Sequence, residues 1–267
     1  MFELNIKELK TLKKLHRNLC YTLSFFVFLS FEFSYAQIKD DIDIFFTTGR
    51  DVIFSPTKFD RDDWINLSAT TAITSFTFLI DEPIKKLVQE NRTDFSNKIF
   101  AIDDFYHLES MGIMMGGIYF TGLIQKNERN RNLGLKLLQS TAYTAGATLL
   151  FKFLIGRERP TESDESMSFS PFNTKWNFNS IPSGHSSLAF AFSTIMANEH
   201  NNFFWKFCWY TLSSLTAIAR IHNNHHWLSD TIAGAALGYF IGEFVSNHKS
   251  NKYSIDSPTQ FSFTINF

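Results

Sequence analysis

Apolar residues recur at helical spacing in six stretches of the chain, roughly 64–80, 110–124, 133–155, 186–199, 203–219 and 228–247. Charged or turn-forming intervals separate them, for example KNERNRN at 126–132. Strict two-residue alternation is scarce, so the pattern predicts an all-α domain over residues 64–248. The preceding stretch, 37–63, is mixed and charged and reads as a lead-in, with FSPTKFDRDDW marking a loop before the first helix. The tail 249–267 departs from the helical pattern: Phe261, Phe263, Ile265 and Phe267 alternate with polar residues as in a strand. A single strand is not stable alone, so this tail is expected to pack on the domain or on a neighbour.

The first 36 residues have a different organisation. Lys7, Lys10, Lys13, Lys14 and Arg17 precede the apolar run LCYTLSFFVFLSF (19–31), and SYAQ follows at 34–37. A basic region, an apolar core and a small-x-small site before Gln37 are the parts of a secretory signal peptide, and export to the cell envelope is the expectation. An uncleaved anchor helix is the alternative, given the long basic region. Cys20 lies at the start of the apolar run rather than after it, which does not fit a lipoprotein signal. Cleavage would leave 20 basic and 23 acidic residues. It would also leave Cys208 as the single cysteine, so neither an internal disulfide nor a thiol metal site is expected.

Composition narrows the class. Hydrophobic residues make up 44% of the 267, with 31 phenylalanines, and charged residues 19%. Mean hydropathy is only −0.10, which is polar for a protein made mostly of membrane spans. The net charge of −1 offers no basic field for nucleic acid. A span needs about 20 apolar residues, and several of the six stretches meet a charge sooner. If every stretch crossed, the basic loop with Lys126, Arg129 and Arg131 would lie outside, against the positive-inside tendency. The conflict disappears if the helices form a compact exported bundle that does not cross, the preferred reading, or if one segment fails to cross and the domain is integral.

Three clusters could carry chemistry. KFLIGRERP ends the third stretch with Lys152, Arg157, Arg159 and Pro160; PSGH places Ser183, Gly184 and His185 at the start of the fourth; ARIHNNHHWLSD holds Arg220, His222, His225, His226 and Asp230. Each has an ordinary explanation alone. Basic residues at a helix C-terminus offset its dipole, Ser183 can cap a helix start, and a histidine-rich loop is commonly solvated.

Taken in order, K-x6-RP, PSGH and R-x5-H-x3-D resemble the three-part signature of the type 2 phosphatidic acid phosphatase (PAP2) superfamily, which includes bacterial non-specific acid phosphatases and vanadium haloperoxidases. The resemblance covers about residues 64–247, although its motifs lie within 152–230. It implies a six-helix-type bundle and a phosphatase. One departure is Ala219, where the family usually has a serine before the arginine.

The resemblance implies His226 as nucleophile, since only that histidine satisfies both intervals, to Arg220 and to Asp230. Asp230, one helical turn on, would hold one ring N–H and leave the other nitrogen to attack. His185 would protonate the leaving oxygen and then activate water. The residue chemistry agrees with these roles. Phosphoryl transfer needs charge neutralisation around phosphorus; Lys152, Arg159 and Arg220 can supply it, and the backbone N–H groups of Ser183 and Gly184 can add fixed dipoles at a helix start. No metal or cofactor is required. His222 and His225 read as a solvated rim or substrate contacts, and Arg157 as a candidate for secondary charge support or, in preference, a dipole-offsetting surface residue.

Gly234, Gly238 and Gly242 continue from Asp230 at intervals of four, a pattern that predicts close approach of a second helix. The substrates implied are a phosphorylated lipid, phosphatidic acid or polyprenyl diphosphate in type, or a small phosphoester, with a membrane surface as a partner in the first case. A vanadate-dependent haloperoxidase and a non-catalytic envelope protein are the competing readings.

Overall fold

The computed structural model describes residues 35–100 and 108–248. The leader's first 34 residues and the alternating tail from 249 lie outside the described residues. Within them are nine α-helices: α1 (Tyr35–Phe54), α2 (Arg61–Phe78), α3 (Asp81–Glu90), α4 (Asp94–Ile99), α5 (Leu108–Ile124), α6 (Glu128–Ile155), α7 (Gly184–Asn198), α8 (Phe203–His222) and α9 (Leu228–Asn247). No strand forms among the described residues, and one isolated bridge joins Arg157 to Phe169. All six helices expected from the apolar pattern are present.

Three helices were not expected. Most of the 37–63 lead-in is α1, and α3 and α4 occupy the interval between the first two apolar stretches. The polar sequence of α1 hid it, because its inward face is built from charge and hydroxyl groups. Asp41 and Thr48 are buried, and Asp41 accepts a hydrogen bond from Tyr119 Oη at 2.7 Å and lies 3.4 Å from Arg131. Burial raises the Asp41 carboxyl above its ordinary pKa, and the same burial raises the Tyr119 phenol.

Helix boundaries follow local chemistry. The Asp60 carboxylate accepts from Asp63 N–H at 2.9 Å and Asp63 returns the bond to Asp60 N–H, a capping box that starts α2. Asn127 and Asn202 cap α6 and α8. Gly156 ends α6 in the left-handed conformation at φ 59°, where an added Cβ would lie 1.8 Å from Ser170 O.

Helix α7 is the centre of the bundle, enclosed by α6, α8 and α9. Its Ala189, Phe192, Ile195 and Met196 form the core with Met111 and Met115 of α5, Leu137 of α6, and Ile241 and Val245 of α9. On α6 the stripe facing inwards is small and polar: Ser140, Thr144 and Thr148, at intervals of four, are all buried. One more turn of that stripe arrives at Lys152. The glycine stripe of α9 packs on α7 as expected. A Cβ at Gly234 would lie 2.5 Å from Ser183 O, one at Gly238 2.0 Å from Ser187 O, and one at Gly242 2.7 Å from Thr194 Cβ. Removing side chains there lets the two helices approach backbone to backbone, and it sets the second motif directly against the third.

Candidate active site

The start of α7, the end of α8 and the start of α9 meet at one end of the bundle, where the chain leaving α6 crosses them. Asp230 is the third residue of α9 and accepts from Trp227 N–H at 3.0 Å through Oδ2, so the carboxylate that belongs to the site also starts its helix. Ser180 Oγ donates to the same oxygen at 2.5 Å. His226 is buried, with Nδ1 at 3.5 Å from both Asp230 Oδ2 and Ser180 Oγ. The Nδ1 edge therefore faces the carboxylate, and Nε2 lies on the side away from it.

Four cationic or titratable groups surround that ring. Burial, followed by the charges of Lys152, Arg159, Arg220 and His185, holds the His226 imidazole well below its ordinary pKa. It is thus neutral at physiological pH, the state in which an imidazole nitrogen has a lone pair to give. Lys152 sits at the end of the α6 stripe, and its Nζ donates to the carbonyls of Asn179 and Ser180. Desolvation, with Arg159 and Arg220 nearby, lowers its pKa to about 7, partly countered by Asp230. Arg159 is buried and pinned: Nε donates to Asn179 Oδ1 at 2.8 Å, Nη1 to His225 O at 3.1 Å, and the guanidinium lies 4.5 Å over the Trp176 ring. Burial and Arg220 lower its pKa to about 10.

The second motif closes the cage. Ser183 is the N-cap of α7, but its side chain makes no capping bond, and its N–H donates to Asp230 O at 2.9 Å. That N–H ties the second motif to the third; it is not presented to a ligand as the sequence suggested. The N–H groups of the first helical turn, Gly184 onward, have no intrahelical acceptor and keep the anion-binding character of a helix start. A Cβ at Gly184 would stand 4.0 Å from Lys152 Cε, which places the first two motifs side by side.

Two expectations are overturned. His222 is not a solvated rim: it is 3% exposed, its Nε2 lies 2.9 Å from Ser96 Oγ, and its ring packs on Phe100 at 4.6 Å. Arg157 is not on the surface: it is fully buried and pairs with Asp230 Oδ1 and Asp81 Oδ2, each at 2.7 Å. Sequence reasoning also missed Ser180, two residues before the PSGH motif, and Asp81, whose nearest hint was its place at the head of a short amphipathic helix. His225 is half-exposed and contributes its carbonyl to Arg159. Ala219 is fully buried.

The sequence profile of the PAP2 superfamily matches residues 133–253, which hold all three motifs. Over those residues the chain is similar to the PAP2 superfamily. Among known proteins, the lipid A 1-phosphatase of Porphyromonas gingivalis is 30% identical over 177 residues, covering 64% of this chain and 35% of that protein. A PA-phosphatase related-family protein of Dictyostelium discoideum is 28% identical over 155 residues, covering 52% of this chain and 56% of that protein. The chain thus spans about a third of the first relative and just over half of the second. The crystal structure of a transmembrane PAP2-type phosphatidylglycerolphosphate phosphatase from Bacillus subtilis superposes with a TM-score of 0.50 at 21% identity, over 67% of this chain and 92% of that one. This likeness shows a shared helical-bundle fold. Among the described residues no helix is long and apolar enough to cross a membrane.

Proposed function

We propose that the protein is a metal-independent phosphatase that hydrolyses phosphomonoester or diphosphate groups of lipids through a phosphohistidine, outside the cytoplasm. The observation that carries this reading is the convergence of Lys152, Arg159, Arg220, His185 and Asp230 on one buried, neutral imidazole, His226. The lone pair of His226 Nε2 attacks phosphorus; the N–P bond forms as the ester P–O bond breaks, and His185 gives its proton to the leaving alkoxide. Asp230 stabilises the positive charge that develops on the ring. His185 then takes a proton from water, hydroxide attacks phosphorus, and the N–P bond breaks to release inorganic phosphate and free His226. Lys152, Arg159, Arg220 and the first-turn N–H groups of α7 hold the equatorial oxygens throughout, where pre-aimed donors are worth about 3 kcal/mol each.

A lipid substrate is favoured by the surroundings of the site. Leu149, Leu150, Phe153 and Leu154 at the end of α6 are exposed, as are Phe172 and Trp176 of the following loop, beside Lys152 and Arg159. The Phe153 and Phe172 rings meet at 5.6 Å. An apolar rim around a cationic pocket suits an anionic headgroup with its chains at a membrane surface. Export rests on the basic–apolar–small leader of the sequence.

The test is hydrolysis by the purified protein, in EDTA, of lipid phosphates, lipid diphosphates and aryl phosphate side by side. Activity on the lipids that persists in EDTA and is lost in His226→Ala is expected. Activity that requires a divalent metal, or that survives the substitution, refutes the mechanism; hydrolysis confined to the soluble ester refutes the lipid assignment.

A further inference from the structure

Arg157 has a burial and a set of partners that its position on a loop does not explain. Its guanidinium is enclosed by Phe78, Phe169 and Trp227, at 4.4, 5.7 and 5.3 Å from the ring centroids. Nη1 donates to Asp230 Oδ1 at 2.7 Å and Ser229 Oγ at 2.6 Å; Nη2 donates to Asp81 Oδ2 at 2.7 Å and Ser166 O at 2.6 Å; Nε donates to Ser166 O at 2.9 Å. Asp81 completes the cluster from the first turn of α3: its Oδ1 accepts from Ser229 N–H at 2.9 Å and its Oδ2 from Ser229 Oγ at 2.5 Å. Both carboxylates and the guanidinium are fully buried.

Two carboxylates share one guanidinium, so the cluster carries one net negative charge. Were Asp81 absent, Arg157 would neutralise Asp230 alone, and the carboxylate facing His226 would lose most of its field. With Asp81 present, Arg157 is neutralised from the far side. It can fix Oδ1 of Asp230 in place while Oδ2 keeps its charge for the ring. A buried ion cluster is an expensive way to gain stability, because desolvation cancels most of the attraction. It is an effective way to orient a group that must act on another.

The rest of α3 is arranged to the same end. Glu82 Oε1 accepts from Ser166 N–H and Oγ, both at 2.9 Å, which holds the carbonyl that Arg157 uses. Lys85 Nζ donates to Pro160 O at 2.6 Å and Ser163 O at 3.0 Å. Gln89 Nε2 donates to His222 O at 3.1 Å at the end of α8. Helix α3 lies outside the 133–253 segment that the superfamily profile matches, yet it ties the first-motif loop to the third-motif helices.

We infer that Asp81 and Arg157 are positioning residues for the reaction at His226, Asp81 compensating Arg157 so that Arg157 can fix Asp230 without neutralising it. This rests on the phosphatase reading of the site. The charged and titratable groups that act on His226 are Lys152 of α6, Arg159 of the first-motif loop, Arg220 of α8, His185 of α7 and Asp230 of α9; Arg157, from the first-motif loop, and Asp81, from α3, act through Asp230.

The test is Asp81→Asn in the full chain, with Ser229→Ala as the milder variant that deletes only the hydroxyl bridging Arg157 to Asp81. Each is checked for folding by thermal melting, then assayed for kcat and KM, and the His226 ring is titrated by NMR through its nitrogen shifts. In Asp81→Asn, kcat is expected to fall about 10- to 100-fold with KM within about twofold, since the loss falls on an interaction made as charge develops on the ring. The His226 titration midpoint should move to lower pH, because the uncompensated guanidinium disfavours the imidazolium. If Asp81→Asn does not fold, Ser229→Ala carries the test, with a kcat loss of about 3- to 10-fold and the same direction of midpoint shift. A folded variant with wild-type kcat, or an unmoved midpoint, overturns the inference. The titration needs no turnover, so wild-type protein inactive on every phosphoester would sink the phosphatase reading while the midpoint still decides this one.

Discussion

Replacing Gly238 by alanine isolates what holds the second and third motifs together. The added Cβ would lie 2.0 Å from Ser187 O and 2.8 Å from Ala191 N, both backbone atoms of α7 that no rotamer change can move. Real Cβ contacts begin at about 3 Å, so α9 must retreat from α7 by about 1 Å. Overpacking of this kind costs about 1–3 kcal/mol, set against roughly 1 kcal/mol that alanine gains over glycine inside a helix. The net is a destabilisation of up to about 2 kcal/mol, read as a fall in Tm of several degrees in a chain this size, at about 2–4 °C per kcal/mol. Activity should suffer more than stability. The same retreat separates Gly184 and His185 on α7 from Asp230 on α9 and from His226 just before it, and about 1 Å of misplacement costs about 100-fold in rate. Gly146 of α6 is the control, since a Cβ there meets nothing within 4 Å. Gly146→Ala should raise Tm and leave kcat unchanged. The measurement is kcat and differential scanning calorimetry on both variants and the parent. A Gly238→Ala protein with unchanged Tm and kcat would refute the claim that backbone contact between these helices sets the site.

Lys152, with its pKa lowered to about 7, and His226, lowered well below its ordinary value, both bind protons more readily unfolded than folded. Where the unfolded chain binds more protons, stability rises with pH; Lys152 contributes over the window from about 7 up to the ordinary lysine range, and His226 below neutral pH. The ligand-free protein should therefore melt at a higher temperature at pH 8 than at pH 6. Saturating inorganic phosphate should flatten that difference by restoring the Lys152 charge, whereas a slope unaffected by phosphate would argue against an anion beside Lys152. If the helices form an exported bundle that does not cross, as the basic loop with Lys126, Arg129 and Arg131 argues, high-salt and carbonate washes of cell membranes should release at least part of the protein, followed by immunoblot. Complete retention would refute a bundle that does not cross.

The chain's local patterns carried much of this. Six helices follow from 3.6-residue periodicity, and the glycines at 234, 238 and 242 gave the close α7–α9 contact, because a side-chain-free stripe on an apolar helix has few other uses. Lys152, Arg159, His185, Arg220, His226 and Asp230 were singled out through the three-motif resemblance, since each cluster alone had an ordinary explanation. Helix α1 was missed because its buried face is polar, paired with Tyr119 and Arg131 from elsewhere in the chain. Helices α3 and α4 were passed over because they are short, at ten and six residues.

By itself, then, the sequence determined six of the helical segments and the three clusters that could carry chemistry, since both depend on neighbours within a turn or two. Only the tertiary structure decided what Arg157, His222, Ser180 and the Ser183 N–H touch. The partners of Arg157 stand 73 and 76 residues away, and His222 meets Ser96 across 126. Whether an arginine at a helix end faces water or a pair of buried carboxylates depends on which helix packs over it, and no periodicity within the surrounding segment records that.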